Sequence, residues 1–274
     1  MFRAILAAVK PGPSQDFVID FASSLAEQHQ LEIDACAVID LAQLAPVEPV
    51  PLGGGAFKSQ RDEQVVATAR QHASAVMSRA EAAFRARGVK CSAQVREGDT
   101  ATVLADAVQR CDLLVCGHTR GGDATEQSLL HSILKHSPRP AIIVPQAEFS
   151  TGRAVLVAYD GSAQAARALA SFAESGLAKG RAVHIASFDN GSGVAKVHAE
   201  TAQAFLHRHG IAGEVRIGTL TKDAGSLILD EALHMSAGLI VMGAFGRSAV
   251  REFFFGSVSH SILGVLPVPV FLDH

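Results

Sequence analysis

The chain alternates short apolar runs rich in β-branched residues with longer stretches in which apolar residues recur every three or four positions. Runs of the first kind are typical of strands that are buried on both faces, and the longer stretches are typical of amphipathic helices. The predicted strands are residues 3–9, 31–38, 90–95, 113–116, 141–144, 154–159, 182–188, 213–217, 239–242 and 268–272. Strands that alternate with helices in this way predict an α/β fold with parallel sheets.

Three segments of the first half of the chain recur in the second: RAILAAVK as RAVLVAYD, LLVCG as LIVMG, and HSIL without change. The copies are 150, 126 and 129 residues apart, a drift that insertions and deletions after a duplication explain. An internal repeat of this length predicts two tandem domains of the same fold. We expect each to be a doubly wound sheet of five parallel strands with four helices, at residues 1–148 and 149–274.

The first copy is longer than the second between its second and third strands. The spacing of the copies falls from 150 residues at the first strand to 120 at the third, so this segment holds 30 extra residues. Prolines and glycines concentrate between Leu41 and Gln60. This composition favours an irregular, mobile loop, and a lid over a binding site is the alternative interpretation.

Charge and apolar content argue against several classes of protein. Lys and Arg number 24 and Asp and Glu number 27, without runs of either sign, so binding to nucleic acid or to an acidic membrane is not indicated. No apolar stretch approaches the roughly 20 residues that cross a bilayer, and the amino terminus lacks the features of a signal peptide. The four cysteines show no CxxC spacing. We therefore expect a cytoplasmic protein with free, mostly buried thiols.

Candidate chemistry lies after the fourth strand of the second copy, in the segment GAFGRSAVREFFFGSVS. Doubly wound sheets bind ligands outside the carboxyl ends of their strands, where the strand order reverses. Gly243, Gly246 and Gly256 lack the Cβ atom that would hold a phosphate away from backbone amides. Arg247 is a candidate counter-charge, although a surface arginine without a ligand is an equally good interpretation.

The residues after this glycine loop open the last predicted helix. The first amides of a helix have no partner within it, and the helix dipole favours negative charge there. Gly256, Ser257, Val258 and Ser259 are therefore candidates for phosphate binding. The Ser257 hydroxyl can add a hydrogen bond to phosphate or a ligand to magnesium.

The spacing G-x2-G-x9-G-S, followed by an apolar residue, resembles the nucleotide loop of ATP-binding universal stress proteins. The resemblance covers both copies, but the motif is confined to the second. It implies that the second domain binds ATP with Mg, and that Asp160, at the end of the first strand, forms a hydrogen bond with the adenosine moiety. It also implies that the two copies pair through their last strands, as a pseudo-dimer within one chain, and it leaves a homodimer of chains open.

The first copy departs from the motif. Lys10 stands where the second copy has its aspartate, and Arg120 and Gln127 stand where it has two of its loop glycines. A cation in place of the acceptor and side chains in place of glycines remove the features that favour a phosphate ligand. We expect the first domain to be a degenerate copy that does not bind ATP.

The resemblance favours a regulatory module over a fast enzyme. We expect a nucleotide-responsive stress protein in which ATP orders residues 243–259 and changes a surface seen by a protein partner. No general base is assigned beside the loop, so slow ATP hydrolysis or autophosphorylation is left open. One alternative is a nucleotide-independent scaffold or chaperone-like stress protein with a vestigial site. Another is an enzyme of the related adenine-nucleotide α-hydrolase group, which usually has a different phosphate loop after its first strand.

Other motifs carry little weight. The chain has no Walker motif and no complete GxGxxG motif. His207 and His209 would point to different faces of a helix, which argues against a zinc site. Nucleotide binding by the second copy is therefore the leading hypothesis.

Overall fold

The computed structural model of the chain describes residues 1–12, 15–46, 48–49, 54–118, 124–145, 152–244 and 257–274. Its strands are β1 (Ala4–Ala8), β2 (Glu32–Ile39), β3 (Cys91–Glu97), β4 (Leu113–His118), β5 (Ala141–Pro145), β6 (Ala154–Ala158), β7 (Ala182–Asp189), β8 (Gly213–Thr219), β9 (Ala237–Gly243) and β10 (Val270–Asp273). Its helices are α1 (Gln15–His29), α2 (Leu41–Leu44), α3 (Gly55–Ala86), α4 (Thr100–Val108), α5 (Ala124–His136), α6 (Ala163–Ser175), α7 (Val194–Arg208), α8 (Ala224–His234) and α9 (Ser257–Val265). None of these described helices combines the length and the apolar composition needed to cross a bilayer.

The predicted α/β fold is confirmed, with two copies of one strand–helix pattern. Each predicted strand is present, and its ends differ from the prediction by at most two residues. For the central strands the agreement has a simple cause, because strands buried on both faces must be apolar along their whole length. The fully buried Leu6 on β1 and Leu156 on β6 occupy matching places in the two copies.

Residues Arg3–Gly117 and Ser132–Pro138 form one compact unit, here called the amino-terminal unit. Its strands lie in the order β3-β2-β1-β4, and each neighbouring pair is parallel. Ala8 on β1, for example, is in register with Cys36 on β2 and with Cys116 on β4. β1 is therefore the central strand from which the order reverses.

Residues Met1–Phe2, His118–His131 and Arg139–His274 form the second compact unit, here called the carboxy-terminal unit. Its strands lie in the order β5-β10-β9-β6-β7-β8. The pairs from β10 to β8 are parallel, whereas β5 pairs with β10 in antiparallel fashion, with Ile143 opposite Val270. The predicted pairing of the last strands of the two copies is confirmed.

The insertion of the first copy is more regular than its composition predicts. α2 begins at the N-cap Asp40, whose carboxylate accepts two backbone N–H groups, and α3 begins at Gly55. The prediction of an irregular loop over residues 41–60 is therefore wrong at both of its ends. α3 has 32 residues and the corresponding α7 has 15, so much of the insertion lengthens a helix.

Candidate functional site

The strand order of the carboxy-terminal unit reverses at β6. The chain proceeds outward from β6 to β7 and β8, and then crosses to β9 on the other side of β6. Val157 on β6 is in register with Val241 on β9. Asp160 follows three residues after Val157, and Gly243 follows two residues after Val241. These two predicted residues therefore lie at the same edge of the sheet, where α/β sheets bind ligands.

Asp160 lies in a tight turn between β6 and α6. Its Oδ1 accepts a hydrogen bond from Ser162 N–H at 2.9 Å, and the residue is exposed to solvent. Within the part of the chain that the structure describes, its Oδ2 has no hydrogen-bond partner. One carboxylate oxygen therefore holds the turn, and the other is available to accept a hydrogen bond from a ligand.

Ser162 joins this turn to α6. Ser162 is buried, with 6% of the residue exposed. Its hydroxyl oxygen accepts a hydrogen bond from Ala165 N–H at 3.2 Å and caps the helix. Gly161, between Asp160 and Ser162, has a φ of 74°, a conformation that residues with a Cβ atom rarely adopt. The local sequence Asp-Gly-Ser thus supplies an acceptor, a left-handed residue and a cap in that order.

Gly243 ends β9 against the first turn of α6. A Cβ atom added to Gly243 would lie 2.5 Å from Ala165 N and 2.5 Å from Gln164 C, which is shorter than a non-bonded contact. The close packing of β9 on α6 therefore requires a glycine here. The loop spacing predicts a phosphate-binding role for Gly243, whereas packing accounts for this glycine without a ligand.

Helix α9 contains the other described candidates. Ser257 is its first residue, Val258 is half-buried, and Ser259 is buried. α9 packs closely on α8, because a Cβ atom added to Gly225 would lie 2.8 Å from Ser261 Cβ. Three further predicted site residues lie outside the described residues: Gly246, Arg247 and Gly256. The described part of the site thus consists of the Asp160 turn, the end of β9 and the start of α9.

Buried polar groups next to Asp160 are satisfied within the protein. Ser187 Oγ on β7 donates a hydrogen bond to Tyr159 O. Burial and the nearby charge of Asp160 raise the pKa of the Tyr159 phenol, which therefore stays neutral at physiological pH.

At the end of β7, Asp189 Oδ2 accepts Ala195 N–H at 2.9 Å, and hydrogen bonds of this kind lower the pKa of the Asp189 carboxyl. A charged Asp189 thus holds the start of α7.

One contact at the turn was not predicted from the sequence. The ring of His198 on α7 packs directly against Gly161, so that a Cβ atom at residue 161 would lie 2.5 Å from His198 Nε2. Neither a motif nor an apolar period connects two residues so far apart in the chain. The sequence therefore contained no signal for this contact.

The amino-terminal unit has a different residue at the matching turn. Lys10 follows β1 in the place that Asp160 has after β6, and it is exposed. Its ammonium group donates hydrogen bonds and cannot accept them. This turn therefore lacks the acceptor that the second copy offers.

Potential metal ligands are dispersed over the described part of the chain. Among those residues, no group of three or more His, Cys, Asp or Glu side chains is placed to hold a metal ion. His207 and His209 are both exposed at the end of α7. The described residues therefore supply no ready-made cluster of side chains for a cation at the candidate site.

Comparison with known proteins identifies the repeat. The family model described as universal stress protein family matches residues 1–145 and again residues 152–274. The chain is also 30% identical over 143 residues to the universal stress protein Slr1230 of Synechocystis sp.. This match covers 52% of the chain and 49% of the relative, so the chain spans about half the length of the curated relative.

The fold is similar to that of solved structures over nearly the whole chain. A universal stress protein from Archaeoglobus fulgidus DSM 4304 matches with a TM-score of 0.72 and 22% identity, over 98% of this chain and 97% of that one. The functionally unknown protein PA1789 from Pseudomonas aeruginosa PAO1 matches with a TM-score of 0.63 and 17% identity, over 99% of this chain and 92% of that one. At these identities the similarity concerns the fold alone.

Proposed function

Because the chain belongs to the universal stress protein family, we propose that its carboxy-terminal unit is an ATP-binding regulatory module. The proposed site lies at the carboxyl ends of β6 and β9. The observation that carries the proposal is the Asp160 carboxylate, since Oδ1 is bonded to the Ser162 amide and Oδ2 has no partner among the described residues. Oδ2 would accept a hydrogen bond from the adenosine moiety.

The phosphates would bind at the start of α9. Backbone N–H groups in the first turn have no partner within the helix, and the helix dipole adds partial positive charge. The proposed phosphate-binding residues are Gly246, Arg247, Gly256, Ser257, Val258 and Ser259. Magnesium bound with ATP takes many of its ligands from the phosphates and from water, so a protein carboxylate cluster is not required. The Ser257 hydroxyl is the proposed protein ligand.

In this proposal, ATP binding changes the surface formed by residues 243–259. Phosphates held by backbone amides constrain the backbone that holds them, so ATP would favour one conformation of residues 243–259. A protein partner would recognise that conformation. The four cysteines are unpaired, as is usual in the reducing cytoplasm, and we place the proposed function there.

Titration calorimetry with Mg-ATP on the full chain tests the proposal, and the decisive variant is Asp160→Asn. The amide oxygen of asparagine can still accept Ser162 N–H, whereas its NH2 group cannot accept a hydrogen bond from a ligand. We expect the wild-type protein to bind Mg-ATP with a Kd below about 1 mM. The variant should bind at least about tenfold more weakly, because hydrogen bonds to charged groups contribute about 1.5–3 kcal/mol.

The matched control is Lys10→Ala, which alters the corresponding turn of the first copy and should leave the affinity unchanged. Gly256→Val tests the phosphate end and should abolish binding while the melting temperature stays near that of the wild type. Phosphate release in the same samples measures any slow hydrolysis. A wild-type chain without affinity below about 1 mM would refute the proposal and favour the nucleotide-independent scaffold.

A further inference from the structure

We propose that His198 is a positioning residue for the Asp160 turn. The inference rests on the proposed function, because the turn matters for binding only if Asp160 holds the ligand. His198 belongs neither to the repeated segments nor to the glycine loop. Folding brings its ring into contact with Gly161.

The His198 ring occupies the space that a side chain at residue 161 would take. A Cβ atom added to Gly161 would lie 2.5 Å from Nε2, 2.6 Å from Cδ2 and 2.8 Å from Cε1 of His198. Three atoms of one ring edge therefore lie against the backbone between Asp160 and Ser162. The turn cannot move toward α7 unless the ring moves first.

Helix α7 holds the ring in place. Its start is fixed by Asp189, which accepts the Gly191 and Ala195 amides at 2.8 and 2.9 Å. Ala195 and Ala202, which lie three residues before and four residues after His198, are 1% and 0% exposed. Residues at these spacings share one face of a helix, so His198 projects from the anchored side of α7.

The turn needs such a support because its central residue is a glycine. Glycine adopts positive and negative φ about equally well, so Gly161 by itself does little to keep the turn in its observed form. The observed form joins Asp160 Oδ1 to Ser162 N–H and leaves Oδ2 for a ligand. By restricting Gly161, the His198 ring raises the fraction of molecules whose turn is ready to bind.

Substitution of His198 tests the inference by calorimetry with Mg-ATP and with AMP. If His198→Ala lowers the binding-competent fraction to about one tenth, both affinities should fall about tenfold, and their ratio should stay constant. His198→Phe keeps a ring that can pack on Gly161 and should restore most of the affinity. His207→Ala replaces an exposed histidine of the same helix and should bind as the wild type does.

A double-mutant cycle with Asp160→Asn separates positioning from direct contact with the ligand. Because His198 acts through Asp160, His198→Ala in the Asp160→Asn background should change the affinity by less than about twofold. Titrations use variants whose circular dichroism equals that of the wild type, and His198→Gln replaces His198→Ala if the latter does not fold.

Three results would overturn the inference while leaving the proposed function intact. They are wild-type affinity in His198→Ala, failure of His198→Phe to restore binding, and additive losses in the cycle. Absence of nucleotide binding by the wild-type chain would instead refute the proposed function, and the inference with it.

Discussion

Gly243 at the end of β9 lies in direct backbone contact with Ala165 in the first turn of α6, so that an added Cβ atom would be 2.5 Å from the Ala165 nitrogen. Gly243 is the last residue of β9, and Ala165 is the third residue of α6. Their contact therefore sets how closely β9 and α6 approach each other. Packing therefore requires a glycine at residue 243, the same residue that the loop spacing predicts to bind phosphate.

Gly243→Ala should lower the free energy of unfolding by about 1–3 kcal/mol, because overpacking against backbone atoms forces the elements apart. Urea denaturation followed by circular dichroism measures the change. Gly264→Ala is the matched control, since a Cβ atom there meets nothing within 4 Å. Because alanine has a higher helix propensity than glycine, Gly264→Ala should leave the free energy of unfolding unchanged or raise it by less than about 1 kcal/mol. Equal stability of Gly243→Ala and the wild type would contradict the packing role.

Phe172 on α6 and Phe271 on β10 form an edge-to-face pair, with ring centroids 6.3 Å apart and planes at 73°. Both rings are fully buried. Phe172→Ala should therefore cost about 3–5 kcal/mol of unfolding free energy, mostly from the cavity it leaves. Denaturant titration checks this value.

The control for this substitution is Phe57→Ala, because the Phe57 side chain is 76% exposed. Its removal should change stability by no more than about 0.5 kcal/mol. Similar effects of the two substitutions would show that the Phe172 ring does not belong to the stabilising core.

His118 should make stability fall as the solution becomes mildly acidic. Burial lowers the pKa of His118 below its ordinary value of 6.5, and the charge of Glu126 only partly opposes this effect. Just below pH 6.5, His118 is protonated in the unfolded chain but stays neutral in the folded chain. Protonation therefore favours unfolding. The contribution is fully present above pH 6.5 and is lost as the pH falls through the lower folded pKa.

Melting temperatures at pH 7.5 and pH 5 measure this effect. The decrease in melting temperature from pH 7.5 to pH 5 should be smaller in His118→Gln than in the wild type, because glutamine does not titrate. An equal loss in both proteins would assign the pH dependence to other groups.

The thiols should differ sharply in reactivity toward Ellman's reagent. Burial raises the pKa of Cys116 to about 12, burial together with the charge of Asp34 does the same for Cys111, and burial raises the pKa of Cys36 as well. At pH 8 almost no thiolate forms at Cys111 and Cys116, and the raised pKa of Cys36 lowers its thiolate fraction as well. The thiolate is the reactive species. Burial raises the pKa of Cys91 too, but this thiol is only half-buried and the reagent can reach it, so it should react first.

We expect one fast equivalent in the native chain and four after denaturation. Cys91→Ser should remove the fast phase and leave the slow phases as they were. A fast phase that persists in Cys91→Ser would mean that one of the buried sites opens to solvent.

The sequence alone identified the repeat and every strand that the structure describes, because both depend on local patterns. A strand covered on both faces is apolar wherever it lies, and two copies of one fold keep their apolar runs. The position of Asp160 at a strand end was visible for the same reason, as was its replacement by Lys10 in the first copy. Composition misled at residues 41–60, where proline and glycine content concealed the start of the long helix α3 at Gly55.

The tertiary structure alone decided which distant residues touch. The sequence proposed a ligand role for Gly243, and the fold shows that the backbone of Ala165 already excludes a side chain there. No pattern in the sequence indicates a role for His198, and the fold places its ring on Gly161. Periodicity reports which face of an element is buried, but it does not report what that face meets, because contact depends on how separate elements pack together.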